Sequence, residues 1–287
     1  MDILFLAHFL NGLLMVAMPI GLAVYLTRRW KFGGRVWWIG AATFVLSQIG
    51  HIPFNWGIGK LLNHTSMVSW NPAAQLIFNA VFLGLSAGIF EELARYLVLR
   101  WWAKDAHSWR NGILFGAGHG GAEAIILGAL VLYSFIQLVA LRNADLAKVI
   151  PANQLALAQK QMTTYWSATW YDSLLGALER FFTIPCQIAM AVMVMQVFTR
   201  KQLRWLFLAI GYHAVLDASA VINVKYLGTY GTEMVICGFA ILSLLLIFIL
   251  RQPEPLMSIS NTSSSPAVFI PKPIEETKEN LGNTRYQ

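Results

Sequence analysis

The stretch GIFEELARYLVLRWW, residues 88–102, decides how this chain is read. It sets two adjacent carboxylates, Glu91 and Glu92, and the cation Arg95 inside a run that is otherwise apolar enough for lipid. The surroundings settle whether that run belongs in water or in a bilayer. Of 287 residues 57% are hydrophobic and only 12% charged, with a mean hydropathy of +0.56, which is too apolar and too charge-poor for an ordinary soluble domain. The apolar stretches run to about twenty residues or more, the length a helix needs to cross a ~30 Å hydrocarbon layer. The eleven tryptophans fall largely near the ends of those stretches, as interfacial belts require. The fold class expected is all-α, a multi-pass transmembrane helical bundle in the cell membrane.

The formal net charge of +7 does not point to nucleic acid, because basic residues gathered in short loops between spans are what the positive-inside rule produces. Cys186 and Cys237 both fall inside apolar spans, without metal-type spacing, and read as packing residues rather than a disulfide framework.

Apolar length and breakers predict about seven spans, six to eight, near residues 3–27, 36–58, 74–102, 112–140, 171–198, 203–223 and 231–250. The second is the weakest, since Pro53 and Gly57 interrupt HIPFNWGIG and predict a helix that stops short. The first opens on Met1-Asp2 with no basic n-region and is longer than a signal-peptide core, so it is expected to be a permanent helix at the start of the mature chain. Arg28, Arg29, Lys31, Arg35, Arg100, Lys104, Arg110, Arg200, Lys201, Arg204 and Arg251 all fall on one side of this alternation. Lys60, Arg142, Lys148, Lys160 and Lys225 fall on the other, which places the N-terminus outside and the C-terminus in the cytoplasm. The connection 141–170 reads as an interfacial helix followed by the aromatic anchor TTYWSATWY. Residues 252–287, rich in Pro, Ser and Glu, read as a disordered cytoplasmic tail beyond a transmembrane domain at 1–251.

Each charge at a bilayer centre costs roughly 2.5–3.5 kcal/mol on insertion scales, so ionisable residues there are candidates for function. Besides FEELARY, the fourth span holds FGAGHGGAE with His119 and Glu123, the fifth holds Glu179 and Arg180, and the sixth holds GYHAVLD with His213 and Asp217. Glu91 to Arg95, His119 to Glu123 and His213 to Asp217 are i,i+4 pairs, each on one helix face. At about 1.5 Å per residue, Glu91 and Glu92 lie some 15 Å from the cytoplasmic end of their span, His119 about 11 Å, Glu123 about 17 Å, His213 about 15 Å and Asp217 about 20 Å. The spans near 74–102, 112–140 and 203–223 therefore meet in one layer. Glu179 and Arg180, about 13 Å from the outer end of theirs, fall a turn or more above it, as a supporting or separate pair. Gln48 and Asn79 read as interhelical hydrogen-bonders.

That layer holds four carboxylates, Glu91, Glu92, Glu123 and Asp217, against Arg95 and two histidines. A structural salt bridge alone leaves a surplus of negative charge, which requires a retained proton or a bound cation. The sequence has no GxGD pair and no HExxH helix. What remains is Glu with His: a carboxylate activating water beside an oxyanion-holding histidine, or His119, His213 and one or two of Glu91 and Glu123 binding zinc. A proton- or ion-coupled transporter, or a non-catalytic immunity or scaffold protein, would use the same residues differently.

Glu91-Glu92-x-x-Arg95, Phe115-x-x-x-His119 and His213-x-x-x-Asp217, in that order on successive helices, resemble the three motifs of the CAAX-protease and bacteriocin-self-immunity superfamily of intramembrane proteases. HGGAEA after the second motif and the Glu-Arg of LERF are most similar to its YhfC branch of intramembrane metalloproteases. The resemblance implies an intramembrane endopeptidase acting on a membrane protein or peptide. Glu91 would activate water with Glu92 and His119 assisting, and His213 with Asp217 would stabilise the oxyanion. Compared with prenyl-protein proteases, one residue fewer separates the glutamates from the arginine, and the last motif ends in acid rather than Asn. Prenylated substrates are therefore not implied, and zinc and metal-free glutamate catalysis both stay open.

Overall fold

The computed structural model describes residues 2–31, 33–62 and 70–253, and the expected tail lies outside them from residue 254 onward. Among these residues every regular element is helical: α1 (Ile3–Trp30), α2 (Arg35–Leu62), α3 (Pro72–Trp101), α4 (Trp109–Leu141), α5 (Leu146–Val149), α6 (Ala152–Ser167), α7 (Leu175–Thr199), α8 (Arg204–Tyr226) and α9 (Gly228–Ile249), with a 3-10 turn at Asp172–Leu174. Local chemistry sets the starts. The Asp2, Asn71 and Ser108 side chains accept from the backbone N–H groups of Leu4, Ala74 and Asn111, and Pro72 fills the first turn of α3, where its missing donor is harmless.

Six of these helices, counting the Asp172 turn with α7, are long and apolar enough to span a bilayer, and the chain is a multi-pass membrane bundle. The exception is α2. It is 28 residues long and runs unbroken through Pro53 and Gly57, where the sequence predicts an early stop. Proline is tolerated in membrane helices because neighbours re-satisfy the freed carbonyl, and Pro19 and Pro185 lie inside α1 and α7 in the same way. What lowers the hydropathy of α2 is Ser47, Gln48, His51 and Asn55, and these side chains face partners inside the bundle.

The bundle packs α3 on α8, and α4 on α1, α2 and α7. The closest approach is between α2 and α4. A Cβ on Gly118 would sit 1.9 Å from the Trp37 carbonyl oxygen, and one on Gly40 would sit 2.0 Å from that of Phe115. Backbone cannot yield as a flexible side chain does, so Gly118→Ala must push two helices apart. The expected loss is at least the ~1–3 kcal/mol typical of overpacking, read as a lowered unfolding midpoint in detergent.

Short connections join α3 to α4 and α7 to α8 at one face of the bundle, where Arg35 pairs with Asp105 and holds its carboxyl below the usual carboxylate range. The long connection carrying α5 and α6 lies at the opposite face. Part of the expected aromatic anchor is docked on α1: the Tyr165 ring stacks on His8 at 3.8 Å, His8 Nε2 donates to the Tyr165 carbonyl at 3.1 Å, and Arg142 covers Trp166 at 4.2 Å. Trp170 and Tyr171 remain exposed.

Candidate active site

Glu91, Glu92 and Arg95 share one face of α3, and all three are buried. Lipid offers nothing to a guanidinium, so Arg95 draws its partners from within, with its Nε alone left unpaired. It lies 3.1 Å from Glu92 Oε1 and 3.6 Å from Glu91 Oε2, and it donates to both the backbone carbonyl (3.3 Å) and the side-chain oxygen of Gln187 on α7. With Glu92 wholly enclosed and held this way, the carboxylate left to act is Glu91.

Two histidines reach it. His119, on α4, is fully buried with the Phe44 ring edge-on to it at 5.3 Å, and its Nε2 lies 3.0 Å from Glu91 Oε2. An ionised carboxylate only accepts, so the facing imidazole nitrogen is the donor. His213, on α8, donates from Nδ1 to Glu92 Oε1 at 2.8 Å, which turns its Nε2 towards Glu91 Oε2 at 4.0 Å and Asp217 Oδ2 at 3.5 Å. Three helices thus converge on one oxygen atom of Glu91, at the level expected from helical rise.

The other oxygen is held by a residue the sequence reading left as a plain interhelical hydrogen-bonder. Gln48 Nε2 donates to Glu91 Oε1 at 3.0 Å. His51 Nδ1 lies 3.3 Å from Gln48 Oε1, and His51 Nε2 lies 2.9 Å from Asn55 Nδ2 and 3.1 Å from Ser86 Oγ. This series along α2 backs the Gln48 amide, whose NH₂ end meets Glu91 because an ionised carboxylate only accepts. Its signal in the sequence is the i, i+3, i+7 spacing of Gln48, His51 and Asn55 in an apolar run.

Glu123 is turned away from the histidines. Its Oε1 meets Arg180 at 2.5 Å and its Oε2 accepts from Gln187 Nε2 at 2.8 Å, so both oxygens are engaged on α7. Glu179 and Arg180 are not a separate outer pair: Arg180 joins Glu179 to Glu123, and Gln187 joins Glu123 to Arg95. The single layer is therefore the lower end of a connected polar series, in which Arg180 adds a second arginine and Glu179 a fifth carboxylate, so the surplus of negative charge remains. Gln187, a neutral residue, is the link the sequence did not reveal.

Among the described residues no group of three His, Cys, Asp or Glu side chains forms a ready metal cage. The donor chemistry nevertheless fits a divalent cation. Two imidazole nitrogens and a carboxylate oxygen, from His119, His213 and Glu91, are the ligand types of catalytic zinc, and the Glu92 carboxylate on Nδ1 of His213 is the usual outer partner of a metal-binding histidine. Glu123 does not belong to that set.

A family model described as YhfC intramembrane metalloprotease matches residues 14–240, which include every site residue named above. The chain belongs to the YhfC family. A relative, the uncharacterized membrane protein YhfC of Bacillus subtilis (strain 168), is 30% identical over 226 residues, covering 77% of this chain and 84% of its own length. No solved structure matches.

Proposed function

We propose that this chain hydrolyses a peptide bond in a membrane-embedded or membrane-proximal segment of another protein. The observation that carries the reading is the convergence of His119, His213 and Gln48 on the two oxygens of a single buried carboxylate, Glu91. Glu91 Oε2 takes the proton of the attacking water, and His119 holds that oxygen in place. His213, aligned by Glu92 and Asp217, presents Nε2 to the charge that develops on the substrate carbonyl. The family description favours metal assistance: His119, His213 and Glu91 would hold a divalent cation, which would acidify a water and polarise the carbonyl. The basic loops orient the N-terminus outside and place the reaction in the cytoplasmic half of the bilayer.

The test compares the N-termini of membrane proteins in cells expressing wild type or Glu91→Gln, followed by cleavage of the recovered protein with purified enzyme. New N-termini that depend on Glu91 support the reading, and identical profiles overturn it. Metal content measured on the same purified protein is expected near one zinc per chain in wild type and to fall in His119→Ala and His213→Ala. On the recovered substrate, Gln48→Leu removes a donor to a charged oxygen, worth about 1.5–3 kcal/mol, and is expected to slow turnover about 10- to 100-fold. Gln48→Glu will not rescue it, since a second carboxylate cannot donate.

One observation favours a second reading, ion-coupled transport: the charged groups form a connected series from Glu91 to Glu179 rather than one isolated layer. Flux through protein-loaded liposomes that collapses in Arg180→Gln, with no cleavage detected, is its signature.

A further inference from the structure

Two carboxylates of the polar series, Asp217 and Glu123, keep exposed surface at depths where solvent should be absent, and a third, Glu179, is exposed near the α5–α6 face. The side chains of Glu179, Asp217 and Glu123 keep 40%, 38% and 20% of their surface exposed, while Glu91 beside them keeps 8%. Measured at about 1.5 Å per residue from the face that carries the short α3–α4 and α7–α8 connections, Glu91 lies near 15 Å, Asp217 near 20 Å, Glu123 near 21 Å and Glu179 near 30 Å. A charge turned to hydrocarbon at these depths is expensive, and such residues face either a partner or a water-filled cavity. Glu123 and Glu179 are paired with Arg180 and yet exposed, and Asp217 lies no nearer than 3.5 Å to His213, so their open surface calls for water.

Glu233 adds an independent sign. It sits on α9, the residue is only 7% exposed, and its Oε2 is buried with no hydrogen-bond partner among protein atoms. Glu179 and Arg180 are the charged groups near enough to act on it. Buried polar atoms without a protein partner are where ordered water resides. Glu233 is five residues from the start of α9 and Glu179 four from the start of α7, so both stand within about 6–8 Å of the helix ends on the α5–α6 face.

We infer that water reaches Glu91 through a hydrated crevice opening on the α5–α6 face, with Glu179 and Glu233 at its mouth, Glu123 and Arg180 along its wall and Asp217 at its floor. The crevice supplies the second substrate of a hydrolysis in a site otherwise walled by lipid. Its purpose rests on the hydrolytic reading, while its existence does not. It also opens away from the basic face.

The test is thiol accessibility in the full chain, reconstituted in vesicles, with Cys186→Ala and Cys237→Ala as background. A membrane-impermeant cationic methanethiosulfonate is applied to one face at a time. Asp217→Cys and Ala220→Cys probe the crevice, the latter one turn nearer its mouth and keeping every charge. Val215→Cys on the same helix is the lipid-facing control, since Val215 is 56% exposed. The result expected is complete modification of Ala220→Cys and Asp217→Cys from the α5–α6 face in the time Val215→Cys shows none. Modification from the opposite face only, or no modification of Ala220→Cys in folded protein, overturns the inference. Cleavage assays separate the two claims. Labelled crevice thiols without any peptidase activity leave the crevice and remove the hydrolytic reading, and cleavage without labelling does the reverse.

Discussion

Glu91→Gln is expected to lower hydrolysis by about 10²- to 10⁴-fold, the range for removing a general base, while the protein still inserts and folds. The substitution is nearly isosteric and leaves the neighbours supplied. Arg95 keeps Glu92 and both oxygens of Gln187, His213 keeps Glu92, and Gln48 still meets a carbonyl-type oxygen if the new amide places its NH₂ towards His119, whose proton then moves to Nδ1 so that Nε2 accepts. What disappears is the capacity to take a proton at Oε2 and the charge facing both histidines. The measurement is kcat on the recovered substrate beside the unfolding midpoint of the same preparation. A variant with kcat within a few fold of wild type means the reacting centre lies elsewhere in the bundle.

The largest effect on stability is expected at Arg95. Arg95→Met keeps the apolar stem and removes the arginine that lies within salt-bridge range of both Glu91 and Glu92. Stripping one partner from a buried ion pair typically costs about 3–5 kcal/mol, because the remaining charge is left without compensation. Here two carboxylates and the side-chain oxygen of Gln187 lose their donor together. Arg95→Lys should recover little, since a single ammonium cannot span Glu92 and both Gln187 oxygens as a planar guanidinium does. Adding Glu92→Gln to Arg95→Met should restore part of the loss, and the coupling between the two sites measures how much of the effect is the pair itself. Midpoints of denaturation in detergent read this directly. An Arg95→Met midpoint equal to wild type means the pair is not what holds α3 to α7.

The charged part of this site was legible in the sequence because ionisable residues in apolar spans are rare and their i,i+4 spacing fixes the face they share. Helical rise then brought Glu91, His119 and His213 to one level, and the structure places them within 3.0–4.0 Å of one oxygen. Rise alone also misplaced Arg180. It gives the height of a Cα, whereas an arginine side chain extends well beyond it and Gln187 bridges the rest. Of the neutral residues only Gln48 was legible, as an interhelical hydrogen-bonder. Gln48, His51, Asn55 and Gln187 carry no net charge whose burial demands an explanation, so nothing singled them out from ordinary interhelical hydrogen-bonders. Pro53 misled for a related reason: its missing N–H breaks a helix in water, but inside the bundle α2 continues through it.

Arg95 also has a consequence for how the chain is made. As α3 leaves the ribosome it carries Glu91, Glu92 and Arg95 in its middle, each worth roughly 2.5–3.5 kcal/mol against partition into lipid. Pairing within α3 offsets some of that, but the donors to the Gln187 oxygens and the carboxylate for His213 find their counterparts only when α7 and α8 exist, some ninety to a hundred and twenty residues later. Until then α3 is a reluctant passenger, held at the insertion machinery or beside its earlier neighbours α1 and α2. Its polar groups therefore gain their full set of partners only when α7 and α8 are in place.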